Sequence, residues 1–165
     1  MAKSSRRSAS GKSKSRFYQA VQATRSIASA YQKGLKALRE PDKHRIACAN
    51  SRQLRGSVCI DDALKAALPN EPRWDYAVGY SDTAGAEQII WVEVHPAAKS
   101  DHLKEVRGKL EWLMEWLRTK AQPMNYTPRR IVWIATGLSN FSQGDPHIRA
   151  LKDRGLEFVG RRLEL

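Results

Sequence analysis

The sequence lacks a long apolar run and has only two cysteines. No stretch approaches the roughly 18 apolar residues that a membrane helix needs, and residues 1–16 have no apolar stretch that could form the core of a secretory signal. Cys48 and Cys59 do not form a CxxC pair, which favours reduced thiols without a disulfide. We therefore expect a cytoplasmic protein with no membrane partner.

Acidic residues are nearly absent from the first 60 positions, which contain 14 Lys or Arg and two acids, whereas residues 61–165 contain 15 of each. The net charge of +12 therefore lies entirely in the first part. A localised positive charge attracts polyanions through the release of counterions, so we predict a nucleic-acid partner, DNA or RNA. A solubilising tail and a mitochondrial transit peptide are the alternatives. The cations expected to contact the nucleic acid are Lys3, Arg6, Arg7, Lys12, Lys14 and Arg16.

The chain divides into an arm and a domain. After Met1, residues up to 15 are only Ser, Lys, Arg, Gly and Ala, and such a segment cannot bury enough apolar surface to fold. We therefore expect a disordered basic arm over residues 1–15 and a single α/β domain over residues 16–165. Apolar residues at helical spacing predict that the domain begins with a basic helix, from about Arg16 to Arg39.

Alternating and periodic apolar patterns predict the other elements. Residues 73–80 and 88–95 indicate a β-hairpin. Four leucines and Val106, spaced by three and four, indicate a long helix from Ser100 to about Lys120. Shorter strands are expected at 44–49, 56–60, 130–136 and 156–165, and short helices at 61–68, with Asp61 as its N-cap, and at 146–152. The expected fold is a central mixed sheet of about four strands flanked by helices.

The hairpin predicts a cluster of polar side chains. If Tyr80 pairs with Gln88, then Asp75 lies opposite Glu93, and His95 projects beside Glu93 on the same face. Two facing carboxylates repel each other, so something should offset the repulsion. Hard oxygen ligands suit Mg²⁺ or Mn²⁺, which makes a divalent cation the natural candidate.

Two further features bear on this cluster. Ala77 and Gly79 lie on the same face as Asp75, and small residues there would leave room for a substrate to approach. The alternative to a metal site is a purely structural role, in which the two carboxylates face solvent and pair with Arg73, Arg129 or a nearby lysine.

These residues resemble a known superfamily of nucleases. Asp75, followed after a hairpin by Glu93-Val-His95, a long helix and a buried strand, resembles the PD-(D/E)xK superfamily over residues 58–137. In that family an Asp and a Glu on adjacent strands bind the metal, and a Lys two residues after the Glu helps to activate the attacking water. The resemblance implies a restriction-endonuclease-like core and a Mg- or Mn-dependent endonuclease with Asp75 and Glu93 as metal ligands.

The sequence departs from the family motif at two positions. Trp74 stands where the motif has Pro, and His95 stands where it has Lys. His95 would then be a general base or a metal ligand. Alternatively, an ammonium comes from Lys99 or Lys104. The resemblance also implies an accessory acid on the preceding helix, for which Asp61 or Asp62 qualifies.

Two rivals to the nuclease hypothesis belong to other classes. One is a non-catalytic nucleic-acid-binding or assembly protein on the same scaffold, which the His at the Lys position favours. The other is a protein-binding subunit whose basic arm touches a nucleoprotein. Trp112 and Trp116 lie one helical turn apart and widen the apolar face of the long helix. They are predicted to pack in the core or to contact a homodimer or protein partner.

Overall fold

The computed structural model describes residues 13–165. Most of the predicted arm, including Lys3, Arg6, Arg7 and Lys12, lies outside the described residues. The helices are α1 (Arg16–Ala23), α2 (Glu40–Lys43), α3 (Ile60–Leu64), α4 (Ser100–Thr119), α5 (Gln122–Asn125) and α6 (Pro146–Asp153). The strands are β1 (Ile46–Ala47), β2 (Leu54–Cys59), β3 (Tyr76–Ser81), β4 (Glu87–Pro96), β5 (Arg129–Thr136), β6 (Leu156–Phe158) and β7 (Leu163–Glu164).

The main sheet is mixed and has five strands in the order β2-β3-β4-β5-β6. Strand β3 runs antiparallel to both of its neighbours, β2 and β4, whereas β4, β5 and β6 are parallel. Helix α4 connects β4 to β5, since parallel neighbours need a crossover connection. The prediction of a mixed sheet flanked by helices is confirmed, with five strands instead of about four.

Both faces of the sheet are buried. The first cluster packs the face that contains Trp91 and Trp133 against α1 and the leucine stripe of α4. The second cluster packs Val78 and Val92, on the opposite face, against Leu38 and residues from β1 and β7. A strand that is buried on both faces has a nearly continuous apolar sequence, and β5 has such a sequence. Trp116 is buried and Trp112 stacks on it at 5.7 Å, so both pack with the first cluster.

The predicted helix from Arg16 to Arg39 is wrong beyond Ala23. The hydroxyl of Thr24 donates to the carbonyl oxygen of Ala20 at 2.9 Å, and Thr24 leaves the helical conformation with ψ of 89°. The chain then passes through a 3₁₀ turn at Ala28–Ala30. Gln32 next forms a β-bridge with Ser57 at the edge of β2, through backbone hydrogen bonds of 2.9 and 2.8 Å. Pairing with the sheet thus replaces the helix, although the apolar spacing continues.

Several shorter predictions also need correction. Helix α3 begins at Ile60 with Cys59 as its N-cap, so Asp61 is not the cap. The predicted strand over residues 156–165 is split into β6 and β7 by Gly160, whose φ of +75° turns the chain. Strand β7 does not belong to the main sheet and pairs in parallel with β1. The strand predicted at 44–49 is therefore limited to the two residues of β1. None of the helices within residues 13–165 is both long and apolar enough to cross a membrane.

Candidate active site

The hairpin of β3 and β4 has the predicted register. Tyr80 pairs with Gln88, and the pairing continues without a shift to the start of β3, next to Asp75. The backbone N–H of Asp75 donates to Oε2 of Glu93 at 3.2 Å, and the N–H of Val94 donates to Oδ2 of Asp75 at 2.9 Å. The two carboxylates therefore lie side by side, at the end of the hairpin away from its turn.

Both carboxylates are buried. Glu93 is 0% exposed and Asp75 is 7% exposed. The pKa of Asp75 is raised to about 7, first because burial disfavours its charged form and second because the Glu93 carboxylate is close. Such a site strongly favours a neighbouring cation, since a buried charge is tolerated only when it is paired.

The neighbouring cation is Lys109, which the sequence analysis missed. Its Nζ lies 3.5 Å from Oδ1 of Asp75 and forms an ion pair with Oε1 of Glu93. Burial acts to lower the pKa of Lys109, but the charges of Glu93 and Asp75 outweigh it, and the pKa lies above its usual value. The charge that offsets the predicted repulsion between the carboxylates is thus an ammonium from α4.

The sequence does contain a signal for Lys109. Five residues of α4 repeat at spacings of three and four, and they form a second stripe beside the leucine stripe: His102, Glu105, Lys109, Trp112 and Trp116. Residues at this spacing share one helix face. The first three are ionisable residues on the margin of an apolar face, a pattern that predicts contact with a polar site on the sheet.

His95 lies beside Glu93 as predicted. Its Nδ1 is 3.6 Å from Oε1 of Glu93, and its Nε2 is 2.6 Å from Oε2 of Glu105 on α4. Burial acts to lower the pKa of His95, but the hydrogen bonds with Glu93 and Glu105 raise it above its usual value. The imidazole thus connects β4 to α4, with a carboxylate near each ring nitrogen.

The predicted accessory residues lie away from the carboxylate pair. Lys104 is exposed, and its Nζ is 3.7 Å from Oδ1 of Asp101. The N–H of Lys99 donates to Nδ1 of His102 at 3.2 Å, at the start of α4. Asp62 Oδ1 accepts from Arg39 Nη2 at 2.7 Å. Within residues 13–165, none of the three predicted residues forms an ion pair with Asp75 or Glu93, and the lysine that does so is Lys109.

Asp61 belongs to a second cluster of charges next to the pair. Its Oδ2 accepts from Arg39 Nη2 at 2.6 Å and its Oδ1 accepts from Arg73 Nε at 2.8 Å. The backbone N–H of Ile60 donates to the carbonyl oxygen of Asp75 at 2.8 Å, which holds α3 against the start of β3. Arg73 therefore pairs with Asp61. Of the cations in the structural alternative, Arg73, Arg129 or a nearby lysine, it is a lysine, Lys109, that contacts both carboxylates.

The prediction of substrate space above Ala77 and Gly79 is wrong. A Cβ atom at Gly79 would lie 2.4 Å from the ring of Phe17, so the aromatic ring of α1 fills the space. Ala77 is 0% exposed in the same cluster. The small residues serve helix packing, and access to the carboxylates has to come from the side of Lys109 and His95, which are partly exposed.

Two of the predicted nucleic-acid-binding cations fall within the described residues. Lys14 precedes α1, and its Nζ lies 5.1 Å from the ring centroid of Tyr18. Arg16 is the first residue of α1 and borders a shallow surface depression with Tyr126. Both cations are therefore at the surface near the start of α1.

Asp75 and Glu93 form a small donor set for a metal ion. Among residues 13–165, no three His, Cys, Asp or Glu side chains are grouped so that they could hold a metal. Asp75 and Glu93 nevertheless offer two convergent carboxylates to one cation. Mg²⁺ commonly keeps several waters and is held by one or two carboxylates together with substrate phosphates. Asp75 and Glu93 are therefore the two residues that could hold a hydrated Mg²⁺ or Mn²⁺, and the oxygens that converge there, Oδ1 and Oε1, contact the Lys109 ammonium.

Comparison with known proteins gives no family assignment: no protein-family model, curated protein or solved structure matches the chain.

Proposed function

We propose that the protein is a metal-dependent nuclease that hydrolyses phosphodiester bonds of DNA or RNA. The observation that carries the proposal is the burial of Asp75 and Glu93 side by side on adjacent strands, with one ammonium against both. When the short elements α2, β1, α3 and α5 are left out, the order is α1, three antiparallel strands, α4 and a parallel strand, which is also the order expected for a restriction-endonuclease-like core. That order supports the resemblance to the PD-(D/E)xK superfamily.

Asp75 and Glu93 would hold the metal ion in this proposal. A bound Mg²⁺ or Mn²⁺ supplies charge stabilisation for the phosphoryl oxygens and lowers the pKa of a coordinated water. The chain's own contribution is to keep both carboxylates aligned. Backbone N–H groups of Asp75 and Val94 fix one oxygen of each carboxylate. The other oxygens, Oδ1 and Oε1, both face the Lys109 ammonium and are the ones that would face a metal ion.

Lys109 would take the part of the motif Lys. It brings an ammonium to the Glu93 carboxylate from α4, although the motif position on β4 is His95. Because its pKa is raised, Lys109 stays protonated at neutral pH and would donate to a phosphate oxygen or to the attacking water. His95 has a carboxylate near each nitrogen and a raised pKa, so it would orient Glu93 more readily than it would accept a proton.

A second candidate is a non-catalytic nucleic-acid-binding or assembly protein on the same scaffold. The observation that favours it is also the Lys109 ammonium, since this cation already compensates part of the carboxylate charge without a metal. In that case the Asp75–Glu93–Lys109 cluster would be a structural ion-pair network, and the positive charge of the first 60 residues would still recruit nucleic acid.

A cleavage assay separates the two candidates. Labelled single- and double-stranded DNA and RNA are incubated with Mn²⁺, Mg²⁺ or chelator, using the wild type, Glu93→Gln and the exposed control Glu115→Gln. We expect metal-dependent cleavage by the wild type and the control, and a loss of about 100-fold or more in Glu93→Gln. A wild type that neither cleaves any substrate nor gains thermal stability with either metal would leave the binding protein as the answer.

The pH dependence provides an independent check. Asp75 has to be ionised to hold the ion, so the cleavage rate should rise as the pH increases through about 7. The midpoint should move to lower pH when the metal concentration is raised, because the ion competes with the proton for the same carboxylate. A midpoint that does not respond to metal concentration would remove Asp75 from the metal site.

A further inference from the structure

A groove lies between α4 and α6, on the flank of α4 opposite to Lys109. It has a volume of about 330 Å³. We call it the α4–α6 groove, and its lining residues are Ser100, Leu103, Lys104, Arg107, His147, Ala150, Leu151 and Arg154. Among them are three permanent cations and one histidine, and no acid.

The two arginines of the α4–α6 groove share a single carboxylate. Nε of Arg107 lies 3.3 Å and Nη1 of Arg154 lies 2.9 Å from the same oxygen of Glu111, which borders the groove from the next turn of α4. A guanidinium has five N–H donors. Two guanidiniums on one carboxylate leave an excess of positive charge and most of their donors available to another anion.

The rest of the groove is suited to a nucleic-acid backbone. Leu103 and Leu151 are buried and form an apolar floor, whereas Lys104, Arg107 and Arg154 are exposed at the rim. A strand of nucleic acid offers charged phosphates with less polar sugars between them, which matches a basic rim above an apolar floor. Phosphates accept readily from arginine because its planar fork fits two of their oxygens.

The first turns of α4 place the groove close to the carboxylate pair. His102 and Glu105 are on the face of α4 that carries Lys109, whereas Leu103 and Lys104 line the groove. The two sites are thus separated by one helix, which is about 10–12 Å wide with its side chains. A polynucleotide that reaches Lys109 can therefore continue across the start of α4 into the groove.

We propose that the α4–α6 groove binds backbone phosphates of the same nucleic acid that the Asp75–Glu93 site is proposed to cleave, and this inference rests on the proposed function. In the bound state, phosphate oxygens replace Glu111 as the acceptor for Arg107 and Arg154. Glu111 is a competitor of the substrate in this arrangement, so its removal should strengthen binding.

The test measures binding of the full chain to fluorescein-labelled DNA and RNA oligonucleotides by anisotropy, in chelator and over a range of salt. Arg107→Gln/Arg154→Gln should raise Kd by about tenfold and lower the slope of log K against log salt by about 2 for duplex DNA. Glu111→Gln should change Kd in the opposite direction and tighten binding several-fold.

Matched controls remove the effect of net charge. Arg149→Gln alters an exposed arginine of α6 that does not line the groove, and Glu71→Gln alters an exposed acid before β3. Both controls should bind as the wild type does. If Arg149→Gln, which removes one charge, changes log Kd by half as much as Arg107→Gln/Arg154→Gln, which removes two, then binding follows total charge and the groove proposal is wrong. The same conclusion follows if Glu71→Gln tightens binding as much as Glu111→Gln.

Binding and cleavage distinguish this inference from the proposed function. Unchanged binding by the double arginine variant of a protein that cleaves nucleic acid would overturn the groove alone. Weakened binding by that variant in a protein that never cleaves would support the groove and contradict the nuclease. Groove-dependent binding of inorganic phosphate or an acidic peptide, without binding of any oligonucleotide, would overturn both.

Discussion

At the scale of single residues, Lys109 determines the energetics of the buried carboxylates. Two acids and one ammonium share a site in which Glu93 is 0% exposed. Removing one partner of a buried ion pair is costly, because the remaining charge keeps its desolvation penalty without compensation. With Lys109 present, Glu93→Gln also removes a partner of the ammonium, so it should lower stability, whereas repulsion between two isolated carboxylates would predict the reverse.

Lys109→Met should destabilise the protein by about 3 kcal/mol, because it leaves two buried carboxylates without their cation. Lys104→Met is the matched control, since that side chain is 80% exposed, and its effect should be within about 0.5 kcal/mol. The measurement is urea unfolding without metal. In Glu93→Gln/Lys109→Met the losses should be less than additive. Additive losses would show that the two side chains do not interact.

The site was partly predictable from sequence at this scale. Strand alternation and a turn of known length fixed the positions of Asp75, Glu93 and His95, because one register satisfies the whole hairpin. Lys109 comes from a helix, and the rotation of a helix relative to a sheet depends on packing between elements distant in sequence. The same limit explains why the sequence points to Lys99 and Lys104, which are closer to Glu93 along the chain than Lys109 is.

At the scale of elements, the packing of α1 on the hairpin depends on the absence of a side chain at Gly79. The ring of Phe17 lies where a Cβ at Gly79 would be, with a closest distance of 2.4 Å. The close fit of α1 against β3 at this point follows from that glycine. The limits of α4 were predicted closely because its apolar period is strong, whereas α1 was predicted too long. The bridge from Gln32 to Ser57 is a tertiary contact that a local apolar period does not reveal.

Gly79→Ala should destabilise the protein by about 1–3 kcal/mol, since an added methyl group in a packed interior forces the Phe17 ring to move. Gly108→Ala is the matched control. Gly108 lies within α4, nothing is within 4 Å of its added Cβ, and alanine is the better helix former, so stability should rise by about 0.5–1 kcal/mol. Thermal unfolding measures both changes. A neutral Gly79→Ala would contradict the packing of α1 described here.

At the scale of the whole molecule, the uneven charge separates binding from folding. Six cations and no acid lie in residues 1–16. Within the described part of the chain, the residues of both core clusters lie at position 17 or later. Helix α1 has its own N-cap, because the Oγ of Ser15 accepts from the N–H of Tyr18 at 3.1 Å. The segment before Ser13 can therefore be removed without loss of the cap.

Deletion of residues 1–12 should leave the unfolding temperature unchanged and weaken binding to nucleic acid. It removes four cations, Lys3, Arg6, Arg7 and Lys12, and the salt slope for duplex DNA should fall by up to about 3.6. Anisotropy titrations at several salt concentrations measure the slope, and substitution of the same four residues by Gln provides the control for chain length. An unchanged slope in both variants would exclude the segment from the binding surface.

The pairing of β1 with β7 has a consequence for the order of events during synthesis. Ile46 lies beside Leu163 in this parallel pair, and both belong to the cluster that covers the second face of the sheet. A ribosome makes Ile46 long before Leu163, because the whole of the main sheet lies between them in the sequence. The nascent chain can therefore form the hairpin of β3 and β4 long before that face is fully covered. Until Leu163 emerges, Val78 and Val92 present an incompletely covered apolar surface, which is the kind of surface that chaperones hold.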